Sequence, residues 1–207
     1  MAYLYNPSHF RNTDTPALHA FIGQYPLAML TTHGPEGFSA SHLPMLLAED
    51  GGRTVLRGHI ARANAHWKHI GEGAQALAVF SGPQAYVTPQ WYPSKLKDGR
   101  VVPTWNYAVA HVRGTVRAVH DAGWLYDLVT ALTNAHEKNF AHQWAVTDAP
   151  ADYIEKMIGA IVGLEITVET IEGKFKLSQN RNDADYAGTQ NGLAALNNPA
   201  ADIMPKR

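Results

Sequence analysis

Cysteine is absent from the 207 residues. That excludes disulfides, a thiolate nucleophile and every cysteine-ligated metal site. No run approaches the ~20 apolar residues that cross a bilayer. The start, Met1-Ala2-Tyr3-Leu4-Tyr5, has neither a basic region nor an apolar signal core. The expectation is a soluble, cytoplasmic protein with no membrane partner. Charge is scarce as well: 17% of residues are charged, the net charge is −1, and no long Lys/Arg run occurs. A nucleic-acid binder usually carries a basic stripe, because phosphates have to be neutralised. Only Lys95, Lys97 and Arg100, and the terminal Lys206-Arg207, offer one here. Ordinary solvated loop and terminus charges account for these residues more readily.

Other motifs are missing too. Neither Gly-x-Gly-x-x-Gly nor a phosphate-cradling P-loop occurs, which argues against a nicotinamide Rossmann domain and a nucleotide hydrolase. Gly37-Phe38-Ser39-Ala40-Ser41 ends in Ser where a nucleophile elbow needs Gly. The 11 histidines are scattered; His66-Trp67-Lys68-His69 lacks an acidic partner at zincin spacing, and His136-Glu137 lacks its second His. No metal site is expected.

What is present supports a packed core, since 45% of residues are hydrophobic. Asp14-Thr15-Pro16 starts a helix, with Asp14 as N-cap, and Leu18, Phe21, Ile22 and Tyr25 share one face before Pro26 ends it. Strands are expected over 27–32, 38–47 and 54–60, joined by the turns Gly34-Pro35-Glu36-Gly37 and Asp50-Gly51-Gly52. Two more, 75–80 and 85–88, are separated by Gly82-Pro83. A long strand covers 104–119, with Gly114 marking a bend or bulge. Helices are expected over 123–139 and 153–158. The stretch 161–171 alternates as a half-buried strand, with Glu165, Thr167 and Glu169 facing away from Val162, Leu164, Ile166 and Val168. The chain turns helical again near 192–196. Many short strands with few helices indicate a mainly β (α+β) chain forming one closed domain over 1–207, with 191–207 a loosely ordered tail.

Three polar-aromatic blocks stand out from this background: Gly58-His59-Ile60-Ala61-Arg62-Ala63-Asn64-Ala65-His66-Trp67, Val102-Pro103-Thr104-Trp105-Asn106-Tyr107, and Gly173-Lys174-Phe175-Lys176-Leu177-Ser178-Gln179-Asn180-Arg181. Such residues are costly in a core unless paired, so their clustering at strand ends suggests a ligand wall. Pro44 within Ser41-His42-Leu43-Pro44 implies a strand edge or bulge, which frees backbone groups. Alternation sets Trp105 and Tyr107 on one face of their strand and Asn106 on the other. Lys174 and Lys176 share a face, as would two exposed lysines on an edge strand.

With Tyr5-Asn6-Pro7-Ser8-His9-Phe10 and Phe80-Ser81-Gly82-Pro83-Gln84-Ala85-Tyr86-Val87, these blocks resemble the PaiB-type FMN-binding negative transcriptional regulators, from Met1 to about Asn191. The resemblance implies an FMN-binding split β-barrel with peripheral helices, assembled as a homodimer with residues of both chains around each flavin. It implies FMN as cofactor and DNA as a partner. Arg62, followed by Asn64, becomes the candidate for the phosphate, which favours charge-assisted donors. Ser41, His42 and His59 become flavin contacts, Trp105 a cover for the ring, and Asn106 a partner for its pyrimidine edge. Lys176, Ser178 and Gln179 are placed near a flavin. Related split barrels leave two further functions open. One is a flavin-dependent oxidoreductase of the pyridoxamine-phosphate-oxidase and flavin-reductase type. The other is a haem-binding relative using His42, His59 or His111 as axial ligand.

Overall fold

The computed structural model describes residues 4–207; Met1, Ala2 and Tyr3, on which the signal-peptide reading drew, lie outside the described residues. The order is β1 (Arg11–Asn12), α1 (Thr15–Gln24), β2 (Leu27–Gly34), β3 (Gly37–Asp50), β4 (Arg53–Ala61), β5 (Gln75–Val87), α2 (Lys95–Asp98), β6 (Thr104–Val119), α3 (Ala122–Glu137), α4 (Ala151–Gly159), β7 (Ile161–Lys176) and α5 (Asp183–Ala195). One sheet runs β1-β7-β4-β3-β2-β5-β6, and β7 also pairs with β6. The described chain groups into two compact units. The first holds residues 4–21, 81–111 and 172–207; the second holds 22–80 and 112–171.

In the second unit, β3 changes partner part-way. Gly37 to Pro44 pair with β2, whereas Met45 to Asp50 pair with β4. The handover falls at Pro44, which has no N–H to give a ladder, so the expected edge takes the form of a switch. Gly58 of β4 lies so close to β3 that a Cβ would meet the Pro44 carbonyl at 2.8 Å. Gly114 likewise marks a close approach rather than a bend, since a Cβ there would lie 1.9 Å from the Thr167 carbonyl oxygen. Leu30, Leu43, Met45, Leu56, Phe80, Leu164 and Ile166 are among the fully buried core residues.

Helix α3 covers the other face of β7, packing Trp124 on Gly163, where a Cβ would meet the ring at 2.3 Å. That changes the reading of Glu165, expected on an exposed face. It is 4% exposed and lies between Arg57 and Arg117, 2.6 Å from each, while Arg57 also reaches Asp50 at 2.7 Å. A carboxylate held by two guanidinium groups offsets much of its desolvation; removing it would leave the cations without it.

The first unit has its own apolar cluster, built from Ala85, Leu177, Tyr186, Leu193, Ala200, Ala201 and Met204. Helix α5 begins at Asp183, well before the helical stretch expected near 192. Asn182 caps it by accepting from the Asp185 N–H. Gly188 and Gly192, one turn apart, clear a flat strip for Trp91: a Cβ at Gly188 would lie 1.9 Å from the Trp91 carbonyl oxygen, and one at Gly192 2.3 Å from its ring. Residues beyond α5, expected as a loose tail, pack instead. Ala200 and Met204 are buried, the Tyr186 hydroxyl donates to the Pro205 carbonyl, and Arg207 donates to Asp183 and to the Arg181 and Gln179 carbonyls.

Candidate functional site

The residues singled out from sequence fall into two groups, one in each unit. In the second unit, Ser41 and Asn64 join a knot around His66. The two ring nitrogens of His66 are hydrogen-bonded to Thr32 Oγ1 and to Ser41 Oγ, each at 2.9 Å. Asn64 Nδ2 donates to Ser41 Oγ at 3.0 Å, and its Oδ1 accepts from the His66 N–H at 3.0 Å. Asn64 thereby caps the short 3-10 turn Ala65–His69. Burial, with a smaller contribution from nearby His69, holds the His66 pKa below the ordinary histidine value. His66 is the knot's centre, and sequence reading gave it no role. Its partners lie 25 and 34 residues away, so no local motif announces it.

The remaining second-unit candidates lie outside the knot. His42 is exposed on β3, opposite Met29. The exposed Arg62 clasps the turn from α4 into β7. Its Nε donates to the Gly159 carbonyl at 2.7 Å and its Nη2 to the Ile161 carbonyl at 2.8 Å, while Nη1 faces His120 Nδ1 at 3.5 Å. The phosphate role that the family resemblance implies for Arg62 does not anticipate this use of carbonyls. Arg62 and His120 also line a cavity of 680 Å³ between α3 and α4. His59 is half-buried on β4 and lines a second, smaller cavity. His111, the third histidine considered for haem, is half-buried on β6.

In the first unit the end of β7 meets the start of β6. Lys174 is 7% exposed rather than solvated. It donates to the Tyr5 carbonyl at 2.7 Å and lies over the rings of Tyr5 and Tyr107, 5.0 and 5.6 Å from their centroids. Lys176 donates to Thr104 Oγ1 and, at 2.6 Å, to the Trp105 carbonyl. Burial, then Lys174 and Arg181, push its pKa below the usual lysine value. Among the described residues neither lysine has a carboxylate within ion-pair distance.

Asn106 is fully buried, on the inward face that alternation assigned it. Its Oδ1 accepts from Ser178 Oγ at 3.1 Å, and its Nδ2 has no hydrogen-bond partner. Ser178 adopts a left-handed backbone, φ 65°, sparsely populated for a residue with a Cβ. Gln179 braces the same turn, accepting from the Leu177 N–H at 2.7 Å and donating to the Phe175 carbonyl. Trp105 is 47% exposed, its Nε1 donating to Gln84 Oε1 at 3.0 Å and its ring meeting Tyr86 edge-on.

Two lysines without a carboxylate, a buried amide N–H without an acceptor and an exposed indole suit a ligand with an anionic end, carbonyl acceptors and an aromatic plane. The sequence matches, over residues 4–170, the family described as "Putative FMN-binding domain". The chain belongs to this FMN-binding family. Its cofactor is FMN, and the first-unit group has the donor chemistry that FMN requires. One similar protein is the "Protease synthase and sporulation protein PAI 2" of Bacillus subtilis, 28% identical over 97% of this chain and 94% of that protein. Another is the uncharacterized protein AN0679 of Emericella nidulans, 33% identical over 90% of this chain and 89% of its own length. Among solved structures, the FAD and heme binding protein from Mycobacterium smegmatis superposes with a TM-score of 0.61 at 17% identity, covering 86% of this chain and 79% of that one. The flavocytochrome Anf3 from Azotobacter vinelandii gives 0.56 at 13% identity, covering 86% and 75%. These likenesses show the fold: the FMN-binding chain has an antiparallel, split-barrel-like α+β architecture. No helix among the described residues is long and apolar enough to cross a membrane.

Proposed function

We propose that this chain is a cytoplasmic, homodimeric transcriptional regulator in which bound FMN sets the strength of a DNA contact. The observation that carries the flavin part is the first-unit group: Lys174 and Lys176 without a carboxylate, beside an Asn106 amide whose N–H lacks an acceptor. Lys176, Asn106 and Gln179 are the proposed holders of FMN, and Trp105 the aromatic surface beside them. From the second unit, Arg62 is the candidate for the phosphate, with His59, Ser41, His42 and Asn64 as the accompanying contacts. Ser41 and Asn64 reach that role only by loosening the His66 knot.

Bound FMN supplies redox chemistry at its isoalloxazine ring; the chain's part is to bind, orient and tune it. Anion binding favours the protonated form of Lys176, which burial and neighbouring cations disfavour in the free protein. The regulator reading is supported by the full-length likeness to the Bacillus subtilis protein and by the PaiB-type resemblance. The cations available for DNA are on the exposed segment around α2, where Lys97 and Arg100 face solvent. Arg207 is engaged with Asp183 at 2.9 Å, which weakens the case for the terminal pair.

The test is a DNA-binding titration with FMN-loaded and FMN-stripped protein over a series of salt concentrations. The proposal expects salt-sensitive binding whose affinity differs between the two forms. Equal, salt-insensitive or absent binding, together with rapid oxidation of a reduced nicotinamide on FMN addition, would replace it with an oxidoreductase.

A further inference from the structure

Away from the first-unit group, a cavity of 460 Å³ opens over β4 between α3, α4 and the start of β7. That volume suits a small organic molecule. Its walls include Val129, Trp144, Tyr153, Met157 and Ile161, with no Lys, Arg, Asp or Glu among them. Trp144 and Tyr153 are 45% and 54% exposed and Met157 40%, so two aromatic rings and a pliable thioether edge the opening. Besides the Trp144 indole and the Tyr153 hydroxyl, His59 and Thr133 bring polar groups to the walls.

His59 sets the chemistry. Its Nδ1 is buried with no hydrogen-bond partner. A buried N–H without an acceptor is the rarer and costlier orphan, so the proton belongs on Nε2 and the lone pair on Nδ1. Burial lowers the pKa of the ring, which is therefore neutral near pH 7. The donors this largely apolar cavity offers are thus uncharged. A carboxylate or phosphate would find no cation there, and a metal no second ligand; no group of three His, Asp or Glu side chains among the described residues is placed to hold one.

We infer that the cavity over His59 binds a neutral, flat, largely apolar carbonyl compound, an aromatic ketone or quinone, whose oxygen accepts a hydrogen bond from His59 Nε2. Thr133 supplies a hydroxyl to the same end of the ligand. Apart from His59, none of the residues proposed to hold FMN lines this cavity.

The experiment titrates the purified protein with 2-acetonaphthone, with 2-ethylnaphthalene (the same shape without the acceptor) and with 2-naphthoate, read by Trp fluorescence and calorimetry. The expected result is 1:1 binding of the ketone, about tenfold tighter than the hydrocarbon, as one buried hydrogen bond allows. The anion should bind more weakly than either. His59→Phe should bind both neutral probes equally. In the wild-type protein the His59 imidazole ¹⁵N signals should move with the ketone and not with the hydrocarbon, a readout that stands even if the variant fails to fold. Equal affinity for ketone and hydrocarbon in the wild type, no binding of either or unmoved His59 signals would each overturn the inference.

Discussion

The two polar groups of this protein differ in one respect that separates structure from function. The knot around His66 is closed: both ring nitrogens, Ser41, Thr32 and both ends of the Asn64 amide find partners within the chain. The group at the end of β7 is open. Its lysines donate to carbonyls and a hydroxyl, with no carboxylate as counter-charge, and Asn106 keeps an unanswered amide N–H. Buried polar groups are normally satisfied. A closed network therefore reads as a device that fixes the chain, and an open one as a place completed by a ligand. Both contain residues that sequence reading proposed for the flavin; only the open group lacks something that FMN could provide.

The largest effect should come from the closed group. His66→Ala leaves Thr32 and Ser41 without their partner and opens a cavity. It should lower unfolding stability by roughly 3 kcal/mol, read by urea denaturation. FMN affinity, measured on protein still folded, should change little. A large, selective loss of flavin binding would break the contrast between the groups.

Next comes Lys176→Met, which removes a donor and a like charge beside Lys174. A charge-assisted bond is worth about 1.5–3 kcal/mol, or some ten- to a hundredfold in FMN affinity. The melting temperature should stay level or rise, because the free protein loses a partly buried cation. Arg62→Ala sharpens the comparison from the other side. Freeing the Gly159 and Ile161 carbonyls should cost about 1–2 kcal/mol of stability. A fall in FMN affinity beyond that of the neighbouring surface variant Lys68→Ala would bring Arg62 into the flavin site.

The pH dependence is a smaller effect. Lys176 is held below the usual lysine value. FMN affinity should therefore start to fall with rising pH before an ordinary lysine titrates, and Lys176→Met should remove that inflection. His59 and His66 are both lowered by burial. The unfolded chain then binds more protons than the folded one below the ordinary histidine value. Stability should drop as pH falls through that range and level off once the folded groups are protonated. His59→Gln should make that slope shallower; an unchanged slope would assign it to His66 alone.

Much of the fold was legible in the sequence where periodicity was strong. The long strand at 104–119 has the expected bounds, and its alternation places Asn106 inward and Trp105 outward. Legibility failed where tertiary contacts override local preference. Gly188, Gly192 and Asn191 weaken any helix signal, yet α5 forms because the two glycines admit Trp91. Gly82-Pro83 reads as a break, but β5 runs through it. Glu165 reads as solvent-facing because a single strand carries no sign of the two arginines, Arg57 of β4 and Arg117 of β6, that close on its carboxylate. The candidate site divides in the same way. Asn106 was visible in one polar-aromatic block and Lys176 and Gln179 in another, whereas the closure of Ser41 and Asn64 around His66 depends on pairings that no local pattern encodes.

The most direct test is a paired FMN titration of the wild-type protein and Lys176→Met, with the melting temperature of each measured in the same buffer. The account predicts stoichiometric binding by the wild type, an affinity at least tenfold weaker in the variant, and no loss of thermal stability. Equal FMN affinity in the two proteins would contradict it and remove the open group at the end of β7 from the flavin site.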